Sequence, residues 1–129
     1  SFLSNYYPLK KPIYYKGFSF YSVETAYQFS KFNDSNFIDP NMSATQSKKI
    51  AKLYKDKIRK EFVGNKSSIM FAFCFQKFSR DISLINKLKM TKDKHLEETN
   101  SWGDVYWGTY NDKGQNNLGK ILMQIRQIL

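Results

Sequence analysis

Tyr21-Ser22-Val23-Glu24-Thr25-Ala26-Tyr27-Gln28-Phe29-Ser30-Lys31 places ionisable groups on a segment that must also face a core. Ser22 is a good N-cap, and Val23, Ala26, Tyr27 and Ser30 follow at the i, i+3, i+4, i+7 spacing of one helical face. Glu24, Gln28 and Lys31 repeat the i, i+4, i+7 spacing on a second row, so a carboxylate, an amide and an amine project along one edge of the buried stripe. Two readings of that row stand side by side: a solvated helix face with a weak Glu–Lys relation, or one lining of a cleft.

Working upstream, Phe2, Tyr6 and Tyr7 belong to an aromatic loop that stops at Pro8. Ile13-Tyr14-Tyr15 and Phe18-Ser19-Phe20-Tyr21 are β-prone runs separated by Lys16-Gly17, a two-residue connection in which Gly accepts the positive φ of a tight hairpin turn. Downstream, Asn33, Asp34, Ser35 and Asn36, then Asp39-Pro40-Asn41, read as loop. Ser43 caps a helix through Ala44, Ile50, Ala51, Leu53 and Tyr54, with Ile58 and Phe62 as its extension and Gly64 as its end. Ser67 or Ser68 starts the next helix, Ile69 to Phe78, which is apolar nearly all round and so reads as the central buried one. Asp81 caps a shorter helix with Ile82, Leu84, Ile85 and Leu88; Lys94 to Thr99 is ambiguous, with a short strand as one reading. The last helix keeps Leu118, Ile121, Leu122, Ile125, Ile128 and Leu129 on one stripe, with Gly114 to Asn117 as its lead-in. The pattern predicts one α+β, mainly helical domain over residues 1–129, a small N-terminal β-hairpin standing beside a cleft walled by the Glu24 helix and the Asp104–Trp107 segment.

Composition bounds the function. A chain of 129 residues can bury a core without disulfides or metal staples. Its longest apolar run, Ile69 to Phe75, falls short of the roughly 20 residues that span a bilayer. No charged-then-apolar signal segment opens the chain, and its start on a motif at Ser1 suggests that a few residues precede it. The one cysteine, Cys74, suits a reducing, cytoplasmic compartment and reads as a buried structural thiol rather than an exposed nucleophile. The one histidine, His95, has no partner at metal-ligand spacing and reads as a surface residue, so no metal or cofactor is expected. A formal charge of +10, from 21 basic against 11 acidic residues, favours anionic ligands, nucleotide or nucleic acid, although a Lys- and Asn-rich composition alone also produces it. The densest basic run is Lys48, Lys49, Lys52, Lys55, Lys57, Arg59 and Lys60.

A second loaded stretch is Glu97-Glu98-Thr99-Asn100-Ser101-Trp102-Gly103-Asp104-Val105-Tyr106-Trp107-Gly108. Both tryptophans of the chain flank a carboxylate here, and an indole face stacks on a base for roughly 1–3 kcal/mol. Trp107 as a core residue and Asp104 as a turn residue bonding its own backbone are the plainer readings. Gly114-Gln115-Asn116-Asn117-Leu118-Gly119 sets amide and small residues at a helix start, where free N–H groups attract phosphate or where Asn simply caps.

These blocks, with Phe2-Leu3-Ser4-Asn5-Tyr6-Tyr7-Pro8, Ala51-Lys52, Met70, Lys77-Phe78 and Leu122-Met123…Arg126, resemble the NADAR family, also called YbiA-like, in order and approximate spacing along nearly the whole chain. The resemblance implies the YbiA-like fold and N-glycoside chemistry: cleavage of the bond between a ribose and a nitrogen base, either in riboflavin-pathway ribosylamine phosphates or in ADP-ribosyl compounds, including ADP-ribose on guanine bases. It implies Glu24, Lys31 and Asp104 as catalytic residues and Ser4, Asn5, Gln28, Trp102, Trp107, Gly108 and Asn116 as substrate-binding ones. Such cleavage develops oxocarbenium character at the ribose carbon and so needs a nearby carboxylate, a positioned water or nucleophile, and a hold on the departing base. Glu24, near a helix N-terminus, suits the first task. Lys31 either pairs with Glu24 and a phosphate or, if burial lowers its pKa, attacks the ribose carbon as a neutral amine. Thr25 stands where the family often has histidine, and Glu61-Phe62 occupies the neighbourhood of an Asp-Trp pair; both departures bear on substrate identity more than on reaction type. The partners implied are a phosphorylated ribosyl or ADP-ribosyl small molecule, or ADP-ribosylated DNA or RNA, with no membrane; non-catalytic binding of NAD-derived nucleotides is the third alternative.

Overall fold

Lys16 and Gly17 take φ of 50° and 84°, the positive values of the two-residue turn whose twist matches paired strands. In this computed structural model, which describes residues 1–34 and 36–129, β1 (Ile13–Tyr15) accordingly folds back antiparallel on β2 (Phe18–Phe20), with Ile13 opposite Phe20, Tyr14 opposite Ser19 and Tyr15 opposite Phe18. Tyr21, read above as part of the second strand, lies beyond it, its carbonyl accepting the Leu9 N–H at 2.8 Å. Ser35, read as loop, lies outside the described residues.

The described residues fall into two compact units, Ser1–Asp81 and Ile82–Leu129. The first holds the hairpin, α1 (Val23–Ser30), α2 (Ala44–Leu53), a 3-10 turn (Lys55–Lys57) and α3 (Phe62–Ser79); the second holds α4 (Ile82–Met90) and α5 (Asn117–Ile128). The architecture is the α+β, mainly helical one with an N-terminal hairpin.

Ser22 caps α1 as expected, its hydroxyl accepting the Thr25 N–H at 3.1 Å. All eight residues of α1 are buried, which rules out the solvated-face reading of its charged row. Hairpin aromatics cover it: Phe20 and Phe29 sit with ring centres 5.1 Å apart and Tyr15 and Phe29 6.1 Å apart, both edge to face, a geometry that adds about 0.5–1.5 kcal/mol per pair beyond burial.

Two helix boundaries depart from the sequence reading. α2 stops at Leu53 rather than running on to Phe62, because the 3-10 turn and an extended Ile58 (φ −62°, ψ 132°) intervene; Leu53 and Tyr54 face solvent, off the expected stripe. α3 starts at Phe62, so Gly64 lies inside it rather than ending a helix, and Ser67 and Ser68 are mid-helix. A tertiary contact explains the early start: Phe62 is buried with its ring centre 5.3 Å from that of Tyr27. That burial outweighs the roughly 1 kcal/mol that an interior glycine costs a helix. Nor is α3 buried all round. Phe62, Met70, Phe73, Cys74, Lys77 and Phe78 form one inner face, while Val63 and Ala72 are exposed. Phe78 is 0% exposed. Phe78→Ala is expected to cost about 3–5 kcal/mol, read as a lowered urea midpoint at unchanged m-value.

In the second unit α4 buries Leu84 and Leu88, with Ile82 exposed. α5 buries Leu118, Gly119, Ile121, Leu122 and Ile125, and its stripe ends there because Ile128 is exposed. Residues 94–98 form no strand; Thr99 makes a single parallel bridge with Thr109. No helix among the described residues is long and apolar enough to cross a membrane.

Candidate functional site

α1 carries its polar row inward. Glu24 and Gln28 are 7% and 3% exposed, and Gln28 Nε2 donates to Glu24 Oε2 across one helical turn. An ionised carboxylate only accepts, so this amide cannot turn round, and Gln28 Oε1 is left buried with no hydrogen-bond partner. A buried acceptor in that condition costs about 1–3 kcal/mol. Lys31, at the C-cap, sets its Nζ 5.3 Å from the Tyr27 ring centre and 5.9 Å from that of Phe62. Burial lowers its pKa below the usual 10.5; Glu24 pulls it back up, while Lys48 and Lys66 push it down further.

The Ser4–Tyr7 loop is fastened to this helix and to α3. The Asn5 carbonyl accepts the Glu24 N–H at 3.0 Å, and its side chain donates to Met70 Sδ at 3.5 Å and accepts from Cys74 Sγ at 3.8 Å. Lys77, 2% exposed, donates to the Ser4 carbonyl at 2.8 Å. The Ser4 hydroxyl accepts the Tyr6 N–H at 3.1 Å. Tyr6 thus stands next to the Glu24 contact, and its phenol is pushed up to about 12, by burial and then by the Glu24 charge. Cys74 is the buried thiol expected, pushed up to about 12 by burial against the opposing pull of Lys77, and so inert as a nucleophile.

In the second unit Asn100 organises the tryptophan segment. Its Oδ1 accepts from Trp102 N at 3.2 Å and Asp104 N at 2.9 Å, and its Nδ2 donates to the Asp104 and Thr109 carbonyls. Asp104 Oδ1 accepts the Tyr106 and Trp107 N–H groups, each at 3.0 Å, which is the turn role. Trp107 is half-buried, edge to face with Tyr106 at 4.7 Å, whereas Trp102 is 61% exposed. Gly108 has no room for a side chain, since a Cβ there would strike the Glu98 carbonyl.

At the start of α5, Asn116 takes the left-handed conformation (φ 51°) and clamps the chain, accepting from Glu98 N and donating to the Leu96 carbonyl, both at 2.9 Å. The Gln115, Asn117 and Leu118 N–H groups are bonded to the Val105, Tyr106 and Trp107 carbonyls. Those donors are engaged by the loop, so this helix start is not an open phosphate cradle; nor does Asn116 cap it, since its side chain makes no cap hydrogen bond and is taken up by Glu98 and Leu96 instead. His95 is exposed beside Glu97 at 3.4 Å, as a surface residue.

The structure therefore gathers Ser4, Asn5, Glu24, Gln28 and Lys31 in the first unit and Trp102, Asp104, Trp107, Gly108 and Asn116 in the second. Tyr6, Lys48 and Lys66 join the first group without having been singled out for it, although Tyr6 lies in the opening motif and Lys48 in the basic run. Nothing in the sequence announces the anchoring roles of Lys77 and Asn100.

The model of the NADAR domain matches residues 1–129. The chain belongs to the NADAR family. A curated relative, a riboflavin biosynthesis protein of Vibrio vulnificus (strain YJ016), is 31% identical over 132 residues, covering 99% of this chain but 35% of that protein, so the chain spans about a third of its relative. Among solved structures the NMR structure of the Escherichia coli protein YbiA superposes with a TM-score of 0.84 at 26% identity, over 98% of this chain and 76% of that one.

Proposed function

We propose that this NADAR chain is an N-glycosidase that breaks the bond between ribose and a nitrogen base in a phosphorylated ribosyl compound, of the ribosylamine-phosphate or ADP-ribosyl kind. The observation that carries this reading is the buried Glu24–Gln28 pair with Lys31 one turn on, a carboxylate, an orphaned acceptor and a pKa-lowered amine on one helix. The name of the Vibrio relative supports the ribosylamine-phosphate class.

Cleavage withdraws the bonding electron pair onto the base nitrogen, which takes up a proton as the base departs. Glu24 offsets the positive charge that grows at the ribose carbon. Lys31, as a neutral amine, attacks that carbon; opening of the sugar ring gives a Schiff base, and water then hydrolyses it to release the sugar with its phosphate still attached and regenerate the amine. The net reaction adds one water across the bond. Release of base from a panel of ribosyl nucleotides, wild type against Glu24→Gln, tests the proposal; no release from any member would overturn it in favour of non-catalytic nucleotide binding.

Asp104 enters as the second carboxylate. Asp104→Asn keeps an oxygen for the Tyr106 and Trp107 N–H groups while removing the charge. A catalytic role predicts a fall in kcat of at least about tenfold at an unchanged thermal midpoint; an unchanged kcat leaves Asp104 as a turn residue only.

The charge of +10 favours a second reading, the same chemistry on ADP-ribosylated DNA or RNA. Affinity for such a strand would fall steeply with salt, whereas a small phosphorylated ligand would show a shallow dependence.

A further inference from the structure

The first N–H groups of a helix have no partner within it. In α1 two of them are met from outside: the Thr25 N–H by the Ser22 hydroxyl at 3.1 Å, and the Glu24 N–H by the Asn5 carbonyl at 3.0 Å. Ser22 adjoins the helix, whereas Asn5 reaches it from a separate loop. The turn that carries Glu24 is therefore only as fixed as that loop.

α3 fixes it. Met70, Cys74 and Lys77 follow at i, i+4, i+7 on the inner face of that helix, 1%, 1% and 2% exposed. Each makes one bond to the loop. Asn5 Nδ2 donates to Met70 Sδ at 3.5 Å, Cys74 Sγ donates to Asn5 Oδ1 at 3.8 Å, and Lys77 Nζ donates to the Ser4 carbonyl at 2.8 Å. Sulfur contacts are weak singly, but these two engage both polar ends of a side chain that is 8% exposed, and they set its direction. Met70 has no hydrogen on its sulfur to give, so only the amide nitrogen can face it.

We infer that Asn5 is a positioning residue for Glu24 rather than a ligand contact: the sulfurs of α3 hold its side chain, and its carbonyl holds the first turn of α1. The place of the Glu24 carboxylate is then set by α3 through Asn5. The consequence for catalysis rests on the proposed N-glycosidase reading; the link from α3 to Glu24 does not.

Amide hydrogen exchange on the whole chain, wild type against Asn5→Ala, reads that link without a substrate. The Glu24 N–H should exchange at least about tenfold faster, as loss of one hydrogen bond allows, relative to amides in the middle of α3, which gauge any loss of global stability. The Tyr6 phenol should titrate below its value of about 12, since burial and the Glu24 charge, the two causes that raise it, both depend on the same loop. With a ribosyl substrate, kcat should fall at least about tenfold at unchanged KM. Met70→Leu keeps the volume while removing the acceptor sulfur; it should move all three readouts the same way to a smaller extent, and it carries the test if Asn5→Ala does not fold. Wild-type Glu24 exchange in folded variants would overturn the assignment. A raised KM at unchanged kcat would do so too, making Asn5 a ligand contact. Faster Glu24 exchange and a lowered Tyr6 pKa in the variants, with no base release by wild type from any ribosyl substrate, would sink the glycosidase reading and leave the positioning role standing.

Discussion

Glu24→Gln is expected to slow base release from a ribosyl substrate by about 10²–10⁴-fold while the chain stays folded. The substituted amide keeps an oxygen to accept the Gln28 Nε2–H, and its backbone N–H still bonds the Asn5 carbonyl, so these two bonds outlast the charge. A charge that matters as the oxocarbenium ion develops acts on the transition state, so kcat should fall far more than substrate affinity. The same variant has a readout that needs no substrate. Glu24 is one of the two causes holding the Tyr6 phenol at about 12, so its titration should move to lower pH when that charge goes. A folded Glu24→Gln chain with lowered Tyr6 pKa and wild-type turnover would remove Glu24 from the mechanism and leave it an electrostatic neighbour only.

What the sequence reveals of this fold is what local chemistry decides. The Ser22 and Ser43 caps, the Lys16-Gly17 turn and the inner stripe of α5 each follow from a residue type in its own backbone setting. Boundaries set by distant contacts are not readable in that way. Gly64 signals a helix end by propensity, yet the packing of Phe62 against Tyr27 draws the helix through it. The apolar run of α3 reads as buried all round because composition cannot say which aromatics find partners, and Phe71 and Phe75 remain half-exposed. The site divides likewise. The i, i+4, i+7 row of α1 is legible as geometry, but its burial depends on the hairpin and α3 closing over it. Lys48 and Lys66, whose charges help to lower the Lys31 pKa, come from two other helices, so no single stretch of chain displays that influence.

Lys31→Ala should abolish both turnover and the covalent adduct that borohydride traps on wild type during reaction, because reduction of a Schiff base fixes the sugar to the amine that attacked it. The pH dependence follows from the same amine. Burial penalises the ammonium form, so the folded pKa lies below the usual 10.5, and the rate should rise with pH as the amine loses its proton through that lowered value. Removing Glu24's opposing, raising influence in Glu24→Gln should shift this limb to lower pH. Removing a lowering neighbour in Lys48→Ala or Lys66→Ala should shift it to higher pH. Stability carries the same sign. Between the folded pKa and 10.5 the unfolded chain binds more protons than the folded one, so stability climbs with pH across that window, and Lys31→Met should flatten the climb. If instead Lys31 only holds phosphate, Lys31→Arg keeps much of the rate, no adduct forms, and the alkaline limb disappears; that set of results would overturn the Schiff-base step.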